Sequence, residues 1–379
     1  FFFYNFEMMF FFIYFNLVHP IRIAANENNY DLVNLLLSNI GDCLKYEYLK
    51  NCENLRQLKI PSNIISIESN AFSFCTSLVQ VEIPSSVTKI CDYTFYNCSS
   101  LSHIVIPSSV VSIGSNAFYM CFSLEKIEIP ESVQSIGDYC FYQCKKLQSV
   151  KIPSSIKCIE RELFEECESL VSIEIPSSVI EIKEFAFLGC SSLKKMIIPS
   201  SVKSIKSGAF KCCTSLVDIE IRSNLNVIES STFEGCSSLK KIIVPSSVTS
   251  FEPYAFYNCA NLEQITIPSS VTFIGKLCFS DCKSLKKIEI PSKVTKIRKN
   301  TFKGCSSLSE IVIPNSIAKI NSYAFMGCTS LIDVTIPSSV KKIGNDVFQD
   351  CSSLKSIKIP QSLKYNNIGL SDSVTIKKV

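Results

Sequence analysis

Residues 98–121 read CSSLSHIVIPSSVVSIGSNAFYMC, and this pattern recurs every 23 residues through most of the chain. Its most regular member is a cysteine that occurs fourteen times without a change of interval. These cysteines are Cys52, Cys75, Cys98, Cys121, Cys144, Cys167, Cys190, Cys213, Cys236, Cys259, Cys282, Cys305, Cys328 and Cys351. A fixed period in the twenties is typical of a solenoid, in which each repeat, here called a rung, packs only on its neighbours.

Each rung begins with a short predicted strand. A leucine stands three residues after the cysteine, and aliphatic residues such as Ile127 and Ile129 stand six and eight residues after it. Apolar side chains at alternate positions indicate a strand with one buried face. A proline such as Pro107 then ends the strand, because proline has no N–H to donate to a ladder.

The second half of each rung is predicted to turn back outside the strand. An apolar residue such as Val87, an isoleucine such as Ile90 and often a glycine such as Gly114 lead to a small residue and a phenylalanine. In the Ala-Phe-x-x-Cys segment the phenylalanine and the cysteine are three residues apart, which predicts a helical turn with both side chains facing inward.

A single rung cannot fold alone. Burying its large apolar side chains yields roughly 10–20 kcal/mol, whereas fixing its backbone costs about 1–2 kcal/mol for each residue. Neighbouring rungs must supply the difference, so the thirteen complete rungs over residues 52–350 are predicted to form one continuous sheet with one continuous core.

The pattern Cys-x-x-Leu-x-x-Ile-x-Ile-Pro-Ser-Ser-Val-x-x-Ile-Gly-x-x-Ala-Phe-x-x-Cys resembles the leucine-rich repeats of BspA-like surface antigens. The resemblance implies an α/β repeat solenoid, a leucine-rich-repeat arc with a parallel sheet of short strands on its concave face and short helical turns or irregular structure outside. It also implies display on the surface of bacteria or protozoan parasites for adhesion to host cells or matrix. It implies no enzyme activity.

The amino-terminal part of the chain differs from the repeats. Residues 1–18 form an apolar segment rich in phenylalanine, which we interpret as a signal, an anchor or an artefact. Residues 19–51 resemble a single ankyrin repeat from Pro20 to Leu37, or form a helical amino-terminal cap with a helix at about residues 31–38. Both interpretations can hold together.

The repeat solenoid is predicted over residues 52–360, and residues 361–379 are predicted to be a carboxy-terminal cap. A last edge strand is expected at residues 373–377, where lysines would discourage pairing with another chain. Within the repeats, Arg222 stands where proline is expected. We interpret this change as drift tolerated by neighbouring rungs. The alternative is a local change of curvature that shapes a binding site.

The chain has twenty cysteines, and the fourteen repeated ones are predicted to be buried thiols. Stacked copies would point the same way, which favours packing over disulfide pairing. The others include Cys91, Cys140 and Cys278, which replace framework residues. None of the spacings matches a structural zinc site, so no metal site is predicted. No cofactor is predicted either.

Catalysis is not expected from this sequence. The two histidines, His19 and His103, belong to different segments, and an inward cysteine such as Cys98 is unsuited to attack a substrate. Glycine is scarce, with 11 residues, and no phosphate-cradling glycine loop occurs. The sequence therefore predicts a protein that is not an enzyme.

The outward positions of the strands are the predicted binding surface. The formal net charge is +4, from 38 basic and 34 acidic residues, and it does not indicate nucleic-acid binding without clustering. Charges alternate in sign at the positions five after each cysteine, so no broad single-sign patch and no nucleic-acid partner are expected. The candidate residues of this face are His103, Val105, Lys126, Glu128, Lys151, Glu174, Lys195, Ile197, Asp218, Glu220, Lys241, Ile243, Lys287 and Glu289.

The sequence favours a non-enzymatic repeat protein that binds a protein or glycoprotein, in surface adhesion or in host or matrix interaction. Its expected location is the cell surface or outside the cell, with membrane attachment left open. The alternative is a cytoplasmic protein-interaction scaffold, which the ankyrin-like segment and the unpaired cysteines favour. A structural array without a specific ligand is a third interpretation.

Overall fold

The chain winds into a solenoid of parallel strands with little helix, as a computed structural model of residues 17–379 shows. Residues 1–16, and with them most of the predicted signal or anchor, lie outside the described residues. The chain divides into two compact units, which are described separately. Unit 1 runs to Ser178, and unit 2 is Val179–Val379.

Helices occur at the start of unit 1. Helix α1 covers residues 17–26, α2 covers Tyr30–Leu37 and the short α3 covers Tyr46–Leu49. The backbone amide of Leu32 donates to the side chain of Asn29, which caps α2. Asn28 adopts a left-handed conformation between α1 and α2, so asparagine takes the place that glycine holds in many turns.

The helical hairpin of α1 and α2 packs on the first rung through its apolar side. Ile21, Ala25 and Val33 are fully buried. The guanidinium of Arg22 donates to the carbonyl of Lys50 at 2.9 Å, and other polar bonds tie the hairpin to the first rung. The helix predicted at residues 31–38 is therefore present within one residue of its expected bounds.

Two series of strands run through unit 1, and we call them front strands and return strands. The front strands of unit 1 are Gln57–Lys59, Gln80–Glu82, His103–Val105, Lys126–Glu128, Ser149–Lys151 and Ser172–Glu174, and they form one six-stranded parallel sheet. The return strands of unit 1 are Cys43–Leu44, Ser66–Ile67, Lys89–Ile90, Ser112–Ile113, Ser135–Ile136 and Cys158–Ile159.

Unit 2 repeats this arrangement. Its front strands are Lys195–Ile198, Asp218–Ile221, Lys241–Ile243, Gln264–Thr266, Lys287–Glu289, Glu310–Val312, Asp333–Thr335 and Ser356–Ile359. Its return strands are Glu181–Ile182, Ser204–Ile205, Val227–Ile228, Ser250–Phe251, Phe273–Ile274, Lys296–Ile297, Lys319–Ile320 and Lys342–Ile343. A last strand, Thr375–Lys378, pairs in parallel with Ser356–Ile359, which confirms the predicted edge strand.

Pairing keeps the 23-residue period, because each residue of a strand lies opposite the residue one repeat later. Leu58 pairs with Val81, and Ile242 with Ile265. These central residues are buried, while the residues on either side of them are exposed. The predicted strand with one buried face is therefore confirmed.

The sheet is less continuous than the sequence predicts. In unit 2, Lys195–Ile198 pairs with Asp218–Ile221, and Lys241–Ile243 pairs with Gln264–Thr266, but these are separate sheets. A strand of three residues carries few hydrogen bonds to its neighbour, so a small change in direction ends the ladder. The rungs nevertheless contribute the same kinds of apolar side chain to the core.

Stacked phenylalanines form the centre of that core. In unit 1 the rings from Phe72 to Phe164 stack in order, with centroids 5.1–5.6 Å apart. In unit 2 the rings from Phe187 to Phe348 do the same, at 5.4–5.9 Å. These rings are buried, as the sequence predicts.

The segment around each phenylalanine forms tight turns rather than a helix. The amide of Cys75 donates to the carbonyl of Phe72, three residues earlier. Two residues of each turn, such as Tyr93 and Asn97, have positive φ. Gly114 does not have positive φ; a side chain there would place its Cβ 2.5 Å from the amide nitrogen of Asp92.

The repeated cysteines are buried thiols, as predicted, and they also form hydrogen bonds that the sequence did not indicate. The thiol of Cys98 donates to the carbonyl of Phe72 at 3.1 Å, and that of Cys236 donates to Phe210 at the same distance. The ladder thiols donate hydrogen bonds within the core rather than joining in disulfides. Burial raises the pKa of the ladder thiols, to about 11 for Cys52 and about 12 for Cys351.

The departure at Arg222 changes the strand ladder. Its backbone amide donates to the carbonyl of Ile198 at 3.0 Å, a bond that proline could not make. The paired front strands Lys195–Ile198 and Asp218–Ile221 each have four residues here. The guanidinium of Arg222 forms a bidentate ion pair with the carboxylate of Glu220, at 2.8 and 3.0 Å.

Candidate functional site

The candidate surface consists of the exposed side chains of the front strands. In each three-residue strand the first and third residues are exposed around a buried middle residue, so a rung contributes two side chains. All the residues named as candidates from the sequence lie at these positions and are exposed. We call the first series column A and the second series column B.

In unit 1 the candidates lie side by side on one sheet. Column A contains His103 and Lys126, and column B contains Val105, Glu128 and Lys151 on successive strands, followed by Glu174. The side chain of Val105 is 72% exposed between two glutamates of the same column. An aliphatic side chain that stays so open on a rigid strand is available for contact.

Ion pairs fix several charged side chains of this surface in unit 1. Lys59 pairs with Glu82 at 3.2 Å across adjacent rungs. Lys151 pairs with Glu131 at 2.9 Å, and hydrogen bonds from this ammonium group and from Ser154 lower the pKa of the Glu131 carboxyl to about 2. Such exposed pairs contribute little to stability, but they order the charges that a partner would meet.

In unit 2 the candidates fall into three groups. The strands with Lys195 and Ile197 pair directly with those of Asp218 and Glu220. Lys241 and Ile243 pair instead with Gln264–Thr266, and Lys287 and Glu289 pair with Glu310–Val312. The structure therefore places these residues on one side of unit 2, but in three ladders.

Exposed aliphatic residues recur in column B of unit 2. Ile197 is 48% exposed, Ile243 is 80% exposed and Val312 is 59% exposed. On the same side, the column A residues Lys195, Asp218 and Lys241 and their neighbours line a shallow hollow of about 540 Å³. Apolar groups among charges are what a protein-binding surface presents.

A hollow next to α2 was missed from the sequence. It has a volume of about 350 Å³ and is lined by Asn34, Ser38, Lys59 and Glu82 with their neighbours. The Oδ1 atom of Asn34 is buried there without a hydrogen-bond partner. A helical cap was expected, but the position of its helices over the first front strands could not be derived from the sequence.

Other sites are not apparent. Within residues 17–379, no group of three or more histidine, cysteine or acidic side chains could hold a metal ion. Among the helices of the same residues, none combines the length and apolar character that a bilayer crossing requires.

Carboxylates cluster behind the front strands, in a turn of unit 1. Glu165 is half-buried and lies beside Glu162 and Glu166. Burial, followed by the hydrogen bond and charge of Glu162, raises the pKa of the Glu165 carboxyl to about 8.

Unit 1 is therefore expected to lose stability as pH rises from about 4.5 to about 8. In that window the unfolded chain has released the Glu165 proton and the folded chain still binds it, so the folded state binds more protons. Urea unfolding should give a higher midpoint at the low end of the window. Glu165→Gln should remove most of this difference, whereas the exposed control Glu128→Gln should retain it. Equal pH profiles for the native chain and Glu165→Gln would contradict the assignment.

Known proteins match this chain in both sequence and fold. The model of the "BspA type Leucine rich repeat region (6 copies)" matches residues 43–171, 157–286 and 273–378. A leucine-rich repeat protein from Bacteroides ovatus is 31% identical, with a TM-score of 0.68, over 89% of this chain and 87% of that chain. A leucine rich cell surface protein from Faecalibacterium prausnitzii is 30% identical, with a TM-score of 0.54, over 83% and 82%. Comparison with curated proteins gives no match.

Proposed function

Because this chain belongs to the BspA-type leucine-rich repeat family, we propose that it is a non-enzymatic protein that binds a protein or glycoprotein through columns A and B. The observation that carries the proposal is the contrast between a constant core and varied exposed columns. The core positions repeat leucine, isoleucine, phenylalanine and cysteine. Column B instead holds Val105, Glu128, Lys151, Ile243 and Thr266.

The chemistry of column B supports a protein partner. Exposing an aliphatic side chain to water is unfavourable by about 25 cal/mol for each Å², and Val105 and Ile243 are mostly exposed. Both lie on strands, so binding would not have to order a flexible loop. Charged neighbours such as Lys241 and Glu128 would then set the orientation of the partner.

The proposed location is the cell surface. The Faecalibacterium prausnitzii relative is described as a cell surface protein, and its similarity covers most of both chains. Labelling intact source cells with a membrane-impermeant amine reagent should modify this chain at exposed lysines such as Lys126. Absence of labelling, in cells shown to contain the protein, would favour the cytoplasmic scaffold instead.

The front surface can be tested with matched variants in a single rung. Val105→Glu places a charge in column B opposite Glu82 and Glu128. Such like-charge contacts between exposed strand residues cost no more than about 1 kcal/mol, so the fold should be retained. Val111→Glu places the same charge beside the return strand of that rung, at a residue that is 44% exposed. Binding to immobilised matrix proteins and cell-surface glycoproteins would be measured for both variants.

For any partner that binds saturably, Val105→Glu or Ile243→Glu should weaken binding about tenfold or more, which corresponds to about 1.4 kcal/mol. Val111→Glu should change affinity by less than about twofold. Unchanged binding by both front variants would show that another face is used. Absence of saturable binding would instead favour a structural array.

A further inference from the structure

Lysines form an in-register column on the return strands of unit 2. Lys296 lies opposite Lys319, and Lys319 lies opposite Lys342. All three side chains are exposed. Neighbouring strands are about 4.8 Å apart, so the three stems leave the sheet within about 10 Å of one another. Like charges directly opposite each other destabilise a strand pair, so packing does not account for this column.

The positive charge of this side is not balanced locally. Residues 271–277, 294–300, 317–323 and 340–346, which contain the return strands and their flanks, include a single acidic residue, Asp346, whose carboxylate accepts a hydrogen bond from Asn367. Additional cations on this side are Lys276, Lys293, Arg298, Lys299 and Lys341. None of the three column lysines forms an ion pair with any carboxylate of residues 17–379.

Among the other equivalent strand positions of unit 2, one is charged, and its charge is balanced. Glu181 lies opposite Ser204 and pairs with Lys206 at 3.1 Å. Three stacked lysines are therefore not a requirement of the fold. The expectation that the surface has no single-sign patch was based on the front strands alone. The return strands of unit 2 differ, because they carry this column of lysines.

The surroundings of the column narrow the class of anion that would fit. The guanidinium of Arg298 lies 4.2 Å from the centre of the Phe273 ring, and the ammonium of Lys299 lies 5.6 Å from that of Tyr323. These ring faces are covered by cations, whereas single-stranded nucleic acids need open aromatic faces for base stacking. The exposed large aliphatic residues of these rungs, Val312 and Ile332, lie on the front side. The column thus lacks the apolar part of a membrane-binding surface.

We infer that this column, with Lys296, Lys319 and Lys342 at its centre, binds a linear sulfated polysaccharide. Sulfate groups carry permanent negative charge, and a linear chain can place successive sulfates along a column one side chain wide. Ammonium groups on long stems suit such contacts, because they act as point charges without a fixed geometry. Exposed Ser292 and Asn315, in the turns before the return strands, can hydrogen-bond to sugar hydroxyls.

The test uses the full chain and a heparin dodecasaccharide, with its desulfated counterpart as a second probe. The variant is K296S/K319S/K342S, since serine already occupies this position at Ser112 and Ser135. At about 0.15 M salt, binding of the variant should be at least about tenfold weaker than that of the native chain. Its dependence on salt should also be shallower, because fewer ionic contacts remain to be screened.

The matched control is K194S/K286S/K355S, which removes the same charge from exposed positions just before the front strands, outside columns A and B, where Ser102 already provides a serine. Its affinity should stay within about twofold of the native value. Equal losses in the two triple variants would show attraction to net charge alone and would overturn the inference. So would equal binding of the desulfated probe, or equally effective competition by single-stranded DNA or anionic vesicles. A melting midpoint of K296S/K319S/K342S at or above the native value would show that folding is intact, as expected when like charges are removed.

Discussion

Replacing Phe256 with alanine is expected to lower the free energy of unfolding of unit 2 by about 4 kcal/mol. The ring is fully buried and stacks between Phe233 and Phe279, each at 5.5 Å. Phe251 meets it edge-on at 5.5 Å. The change removes three aromatic contacts and leaves a cavity that neighbouring rungs cannot fill without leaving register.

The measurement is urea unfolding followed by circular dichroism, with Tyr257→Ala as the control. Tyr257 is adjacent in sequence and only half-buried, so its loss should cost less than about 1.5 kcal/mol. Phe256→Leu should lie between the two variants, because it keeps most of the apolar volume. A loss for Phe256→Ala no larger than that for Tyr257→Ala would show that the phenylalanine stack does not hold the rungs together.

Deleting one residue is expected to destabilise unit 2 more than deleting twenty-three. Without Lys287, the alternation of its front strand shifts by one position, so Glu289 faces the core and Ile288 faces water. We expect a loss of about 4 kcal/mol or more, since an unpaired carboxylate would be buried. Removing residues 259–281, a complete rung, keeps every later residue in register.

The two deletions can be compared by the same urea experiment. The whole-rung deletion should retain a cooperative transition with a slightly smaller dependence on urea, since less surface is exposed on unfolding. After it, the strand Lys287–Glu289 would pair with Lys241–Ile243. If the chain lacking Lys287 were as stable as the chain lacking a rung, the 23-residue period would not be what sets the strand register.

Much of the fold could be predicted because the same pattern of core residues recurs in many rungs. Positions such as Leu101, Ile104 and Phe118 recur in each rung, so chance patterns cancel and the buried face is clear. The helix Tyr30–Leu37 was also predicted closely, since its apolar residues have helical spacing. The exposed positions of columns A and B follow from the alternation of a strand.

The turns were harder to predict because their conformation depends on neighbouring rungs. Positive φ occurs at Tyr93, Met120 and Leu277, which do not favour it on their own. Bonds between rungs, such as that from the amide of Tyr93 to the carbonyl of Ser115, hold these residues in place. A prediction made from the sequence of one rung at a time does not include these bonds between rungs.

The candidate surfaces were only partly predictable for a related reason. A residue such as Ile243 could be placed on the front side from alternation alone, but the lysine column of unit 2 lies on strands of two residues. The sequence predicts no strand there. The 23-residue period places Lys296 and Lys319 on adjacent rungs, but without a predicted strand it does not show that their side chains lie in register on one exposed face.

The thiol bonds of the ladder point backward along the chain, and this has a consequence for biosynthesis. Each acceptor carbonyl, such as that of Phe72 for Cys98, belongs to a rung that leaves the ribosome earlier. A nascent chain can therefore engage its cysteines in the order in which they are made, without waiting for later rungs. If the protein is exported, this order would limit the time that each thiol meets an oxidising compartment before it is buried.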